Sequence, residues 1–184
     1  LVVCQSGWQD YSSQKARQCQ KIVDDVDLKH YLGALGTNGL TAYFGLHRVA
    51  QPSPGETLLV SAAAGSVGHL VGQFAKIIGC HTVGIAGSEE KCVQVRKRLG
   101  FDKAVSYRSE NFRNELKEAC SEGVDIYFDN VGGEVLGAAL FRMNERGRIV
   151  CCGAVSQYDT SQPSVSPRGI PWLLVNKRIR MEFF

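Results

Sequence analysis

The chain has 184 residues, enough for one globular domain or for one domain with pieces of another. Hydrophobic residues make up 44% and charged residues 21%, the balance of a folded protein with a real core. With 21 basic against 18 acidic residues, the net charge of +3 is too even for a nucleic-acid partner, and no apolar run reaches the ~20 residues that cross a bilayer.

Leu1-Val2-Val3 reads as the middle of a strand, and the chain stops inside another strand-like run, so an excised piece of a longer protein is expected. Residues 1 to about 25 differ in texture from the rest and are expected to belong to a neighbouring domain. Asp27 to Leu35 and Leu40 to Val49 predict two helices separated by Gly36-Thr-Asn-Gly39. Thr57–Ser61 is a compact buried strand introduced by Pro52-Ser-Pro-Gly55. Helical spacing of Val67, Leu70, Val71, Phe74, Ile77 and Ile78 then predicts a helix over 66–78, ended by Gly79. Strand His81–Ala86 and helix Glu89–Leu99 follow, stopped at Gly100. Arg96-Lys97-Arg98, the one dense basic stretch, falls on that helix as a solvated face. Further strands are predicted at Lys103–Tyr107, Val124–Phe128, Arg148–Cys152 and Arg178–Phe184. Helices at Phe112–Ala119, Val135–Met143 and Gly169–Val175 separate them. Alternating helices and continuously apolar strands predict an α/β fold with a doubly wound parallel sheet covered on both faces, and a ligand at the carboxyl ends of its strands.

Seven cysteines are present, none in a C-x-x-C pair, so no zinc-ligand spacing is visible. Their odd number, several among apolar residues, predicts free thiols in a reducing compartment, and no signal peptide opens the chain; the expected location is cytoplasmic. His47, His69 and His81 are scattered and read as structural or exposed.

The strongest local signal is Leu58-Leu-Val-Ser-Ala-Ala-Ala-Gly-Ser-Val-Gly68, a buried strand running through a small-residue turn into a helix. Ala63, Gly65 and Gly68 occupy the three glycine positions of G-x-G-x-x-G, the third letting the helix pack closely. A pyrophosphate then sits where free N–H groups and the helix dipole favour an anion, near Ser66. The second strand ends Gly84-Ile-Ala-Gly87-Ser88 without the acid that NAD-binding folds use for the ribose hydroxyls. Ser88 and Lys91 would instead attract a 2′-phosphate, with Glu89 and Glu90 pointing outward as first-turn acids. NADPH is therefore expected over NADH; the plainer alternative for Lys91 is a solvated helix lysine.

The run Val60–Gly68 resembles the A-A-x-G-x-V-G turn of the medium-chain dehydrogenases/reductases. Gly84–Cys92, Leu99–Asp102, Val124–Gly133, Cys152–Tyr158 and Gly36–Gly45 are similar, in order and over nearly the whole chain, to the leukotriene/prostaglandin reductase and plant double-bond reductase branch. That resemblance implies a Rossmann fold over 27–184 and, in residues 1–26, the edge of a GroES-like substrate domain. It implies cofactor contacts from Ala63, Ala64, Gly65, Ser66, Val67 and Gly68, and from Gly87 and Ser88. Lys91 and Tyr107 would hold the 2′-phosphate, Asn130 would face the cofactor, and Cys152, Gly153 and Ala154 would lie along the nicotinamide ribose. Tyr158 would stand near the nicotinamide and the substrate carbonyl as the catalytic donor. Without the resemblance, Tyr107 is an ordinary strand aromatic and Asn130 an ordinary turn residue. Thr37-Asn38 departs from the branch's Met-Pro, and the terminal Met181-Glu-Phe-Phe184 departs from its Glu-Gly. The implied activity is zinc-independent, NADPH-dependent reduction of the carbon–carbon double bond of small α,β-unsaturated ketones and aldehydes, by a protein that forms homodimers in its relatives. An NADPH quinone reductase of the same superfamily and a non-catalytic NADPH-binding module are the alternatives, with a zinc alcohol dehydrogenase behind them.

Overall fold

The computed structural model describes residues 1–23, 26–159 and 170–184. Each continuous apolar run becomes a central strand, because a strand buried on both faces has no side that tolerates polar residues. Six strands form one sheet: β3 (Thr57–Val60), β4 (His81–Ala86), β5 (Lys103–Ser106), β6 (Val124–Asp129), β7 (Met143–Cys151) and β8 (Arg180–Phe183). Their spatial order is β5-β4-β3-β6-β7-β8, and every neighbouring pair is parallel. The chain therefore winds outward from β3 in one direction and from β6 in the other. The doubly wound expectation holds, and the reversal between β3 and β6 opens the crevice where such sheets take ligands.

Alternation along the strands divides the core between two faces. Leu58, Val60, Ile126 and Phe128 pack with Leu70, Val71 and Ala75 of α3 (Gly68–Ile78) and Val95 of α4 (Glu89–Leu99). Leu59, Tyr127 and Ile149 point the other way, onto Leu116 of α5 (Phe112–Ala119), Leu136 of α6 (Gly133–Leu140) and Leu173 of α7 (Ile170–Lys177). Leu58, Leu59 and Val60 are fully buried, each removal from water stabilising the fold by roughly 1.5–3 kcal/mol. The amino-terminal residues stand apart from this sheet, as β1 (Val2–Val3) paired antiparallel with β2 (Gln20–Lys21).

Several boundaries differ from expectation. The first predicted helix shrinks to α1 (Lys29–Leu32), and α2 (Thr37–Phe44) begins inside the stretch expected to separate two helices, then continues as a π-helical segment, Gly45–Ala50. A Cβ on Gly39 would lie 1.8 Å from the Ala34 carbonyl oxygen, so this glycine lets the preceding turn pack closely against the helix rather than breaking it. α6 stops at Leu140 instead of Met143. Fully buried Met143 opens β7 opposite Val124, so sheet pairing overrides the helical pattern there. α3 starts two residues later than expected. Gly169, the predicted start of the last helix, lies outside the described residues, and α7 runs on to Lys177.

Candidate functional site

Two turns meet at the switch point, one after β3 and one after β6. In the first, Ala62 takes a left-handed conformation (φ 50°), and its carbonyl accepts the Gly65 N–H at 2.8 Å. A Cβ on Gly68 would stand 2.3 Å from that same oxygen, so only glycine lets α3 begin against the turn. Ala63 is buried; its N–H donates to the Ile85 carbonyl at 2.9 Å, and its methyl fills the space over Gly84, where a Cβ would lie 2.7 Å away. Ala63 thus anchors the turn from behind. Ala64 and Gly65 face the crevice, while the N–H groups of Ala64, Ser66 and Val67 have no backbone acceptor among the described residues. Next to the positive end of α3, these groups suit an anion. His69 fixes the loop from the helix side, its Nδ1 2.7 Å from the Gly65 carbonyl oxygen.

At the far end, β4 leads through Gly87 to Ser88, whose hydroxyl accepts the Lys91 N–H at 3.3 Å and caps α4. Glu89 is drawn away to Arg96 at 2.9 Å, the outward orientation that the sequence predicts for it. Lys91 lines the crevice, and among the described residues no carboxylate pairs with its ammonium. Tyr107, 42% exposed, lies over Gly87, its ring 3.5 Å from where a Cβ would stand. The Arg108 guanidinium stands over that ring, 5.8 Å from its centre.

The second turn is held by a buried carboxylate. Asp129 Oδ1 accepts the Tyr127 hydroxyl at 2.8 Å, the Ser61 hydroxyl at 3.1 Å, and the N–H groups of Val131 and Gly132 at 3.0 Å each. Asn130 donates from its backbone to the Ser61 hydroxyl and from its amide to the Ser61 carbonyl, both at 2.8 Å, which ties the two turns together. Burial, and then the Asp129 charge, push the Tyr127 hydroxyl well above its ordinary range, keeping it a proton donor. Cys152 and Gly153 donate their N–H groups to the Asp129 carbonyl at 2.8 and 3.1 Å. Burial followed by Asp129 raises both neighbouring thiols, Cys151 to about 12, so neither ionises near neutrality. Ala154 packs on Gly132, and its N–H donates to the Tyr158 hydroxyl at 3.2 Å; Tyr158 is 69% exposed.

Together these elements enclose a crevice of about 650 Å³. Of the residues expected from sequence, Ala64, Gly65, Gly87, Lys91 and Tyr107 line it. Ala63, Gly68 and Ser88 brace it from behind. Asn130, Cys152, Gly153, Ala154 and Tyr158 run along its second turn without lining it. Val155 and Ser156 do line it, as do residues 131–135. These were missed, although Val155 and Ser156 fall within the Cys152–Tyr158 run. Ser61 and Asp129 were missed as well, since nothing local marks a carboxylate that serves partners across the sheet. Among the described residues, no group of three His, Cys, Asp or Glu could hold a metal ion, and no helix is long and apolar enough to cross a membrane.

Comparison with known proteins adds to this geometry. The profile of the zinc-binding dehydrogenase family matches residues 66–182. The chain is 48% identical over 185 residues to the (+)-pulegone reductase of Mentha piperita, covering 98% of this chain and 53% of that one. It is 48% identical over 189 residues to the NADP(+)-dependent 2-alkenal reductase of Nicotiana tabacum, covering 100% and 54%. Among solved structures, CurA from Vibrio vulnificus in complex with NADPH superposes with a TM-score of 0.80 at 42% identity, covering 85% of this chain and 47% of that one. The chain spans about half the length of the curated relatives it matches. The profile match and these likenesses, carried on a doubly wound sheet with its crevice at the switch point, place the chain in the zinc-binding dehydrogenase family of the medium-chain dehydrogenases/reductases.

Proposed function

We propose that this chain is the NADPH-binding half of an enzyme that reduces the carbon–carbon double bond of α,β-unsaturated aldehydes and ketones. The observation that carries the reading is the Lys91 ammonium, without a carboxylate partner among the described residues, at one end of a crevice whose other wall is a small-residue turn with N–H groups that meet no backbone acceptor among those residues. The names of the pulegone and NADP(+)-dependent alkenal reductases supply the reaction class.

In this reading, Lys91 by charge and Tyr107 by its hydroxyl hold the 2′-phosphate, and Gly87 leaves room beneath the ring. Ala64, Ser66 and Val67 present N–H groups to the pyrophosphate, and Asn130, Cys152, Gly153 and Ala154 border the nicotinamide ribose. The cofactor supplies a hydride to the β-carbon when bound. Negative charge then grows on the carbonyl oxygen, and the Tyr158 hydroxyl donates to it, a donor polarised in the right sense by the Ala154 N–H it accepts. Water supplies the proton at the α-carbon. Residues 1–26 belong to the edge of the substrate domain and 27–184 to the cofactor domain, a division supported by the separate β1–β2 sheet. Among the described residues β8 is an edge strand of the sheet, and a homodimer would join two sheets along such an edge.

Two measurements on the full-length protein test this. Lys91→Ala weakens NADPH binding about tenfold or more, as loss of a charge-assisted phosphate contact predicts, and leaves NADH nearly unchanged. Equal weakening of both nucleotides overturns the phosphate assignment. A screen with NADPH against enals, enones, 15-keto prostaglandin-type lipids and quinones gives oxidation with the first three. Turnover with quinones alone assigns a quinone reductase, and binding without any oxidation assigns a non-catalytic module.

A further inference from the structure

Five of the seven cysteines sit singly in the main domain or next to each other in sequence, and burial raises all five thiols, Cys120 to about 11. Cys4 and Cys19 are different. They flank the small β1–β2 sheet, and both are only partly buried. The antiparallel register pairs Val2 with Lys21 and Val3 with Gln20, so the next step sets Cys4 opposite Cys19. The Ile22 N–H donates to the Leu1 carbonyl at 3.0 Å, which marks Leu1–Ile22 as a hydrogen-bonded pair. By alternation Val3–Gln20 is another, and Cys4–Cys19 falls at a non-bonded position. Such positions bring Cα atoms to about 4.5 Å, inside the roughly 4.4–6.8 Å window that a disulfide spans. Burial first, and then the nearby Cys4, raise the Cys19 thiol, in keeping with two sulfurs brought close by the register.

We propose that Cys4 and Cys19 are a modification site at which a hydroperoxide closes a cross-strand disulfide. In the first step the Cys4 sulfur attacks the peroxide O–O bond; with hydrogen peroxide this gives Cys4–SOH and one water. In the second the Cys19 sulfur displaces the sulfenic hydroxyl. The S–S bond forms, the S–O bond breaks, and the Cys19 proton leaves with hydroxide as a second water. Two thiols are oxidised by two electrons, and the peroxide is reduced to two waters. Cys19 donates its S–H to the Lys15 carbonyl at 3.8 Å, a contact that keeps its proton in place and assigns it the second, resolving role. The closed bridge pins both ends of the segment that carries the exposed Trp8 and Tyr11.

The test treats the full-length protein with hydrogen peroxide, blocks remaining thiols, and digests with trypsin without reductant. Cleavage after Lys15, Arg17 and Lys21 separates the two cysteines. The expected product is the peptide ending at Lys15 joined to peptide 18–21, two hydrogens lighter than their sum and separated by reductant. Recovery of the two peptides unlinked, whether as thiols or as sulfinic and sulfonic acids, overturns the proposal. Thiol counting gives an independent readout: peroxide removes two reductant-recoverable thiols from the wild type, none from Cys4→Ser, and at most one, as the unresolved Cys4 sulfenic acid, from Cys19→Ser. An equal loss in either variant assigns the oxidation to other cysteines and overturns it.

Discussion

The turns after β3 and β6 do the same job by opposite means. The first is made of small residues: Gly68 fits because it lacks a side chain, and Ala62 accepts a left-handed backbone so that its carbonyl can meet Gly65. The second depends on one side chain, Asp129, whose single oxygen gathers two hydroxyls and two backbone N–H groups. A loop can be fixed by removing bulk or by burying a satisfied charge. The two solutions fail differently when altered.

The largest effect is expected at the first turn. Gly68→Val forces a side chain onto the Ala62 carbonyl and should cost ~3–4 kcal/mol in denaturant unfolding, with loss of dinucleotide binding. A cost below ~1 kcal/mol would show that the turn relaxes and is not held by bulk at all. Next comes Asp129→Ala, which strands four donors and should cost ~2–3 kcal/mol, whereas Asp129→Asn keeps an oxygen acceptor and should cost about 1 kcal/mol. Equal losses for the two variants would remove the carboxylate's special place. Tyr158→Phe probes what hangs from the second turn. Turnover should fall about tenfold while NADPH affinity stays, since only a contact to developing charge is lost; unchanged kcat sinks that role. The smallest change is Ala62→Gly, where relief of the left-handed strain is largely offset by a floppier unfolded chain. A shift of a few tenths of a kcal/mol is expected in the same unfolding measurement, and a gain above ~1 kcal/mol would mean that the strain dominates.

This contrast also explains what could be read from the sequence. β3, β4, α4 and α5 lie within one residue of expectation, because continuous apolar runs and glycine stops are local signals. Lys91 and the 63–68 turn were legible for the same reason, each sitting at a fixed distance from a strand end, whereas Tyr107 was singled out only through the family resemblance. The Ser61–Asp129 link was not, since its partners are 68 residues apart and each looks ordinary in its own neighbourhood. Met143 misled for a related reason: its helical phase is local, but its burial against Val124 is decided by the sheet. Gly39 misled because a residue that commonly ends helices here lets the preceding turn pack against one.

Asn130 bridges the heads of β3 and β6 with two hydrogen bonds to Ser61, so the opposing rims of the crevice are stitched into one piece. A guest arriving there finds both rims already in register and has little disorder left to quench. Its capture then depends more on shedding of hydration and on charge than on the ordering of these two turns.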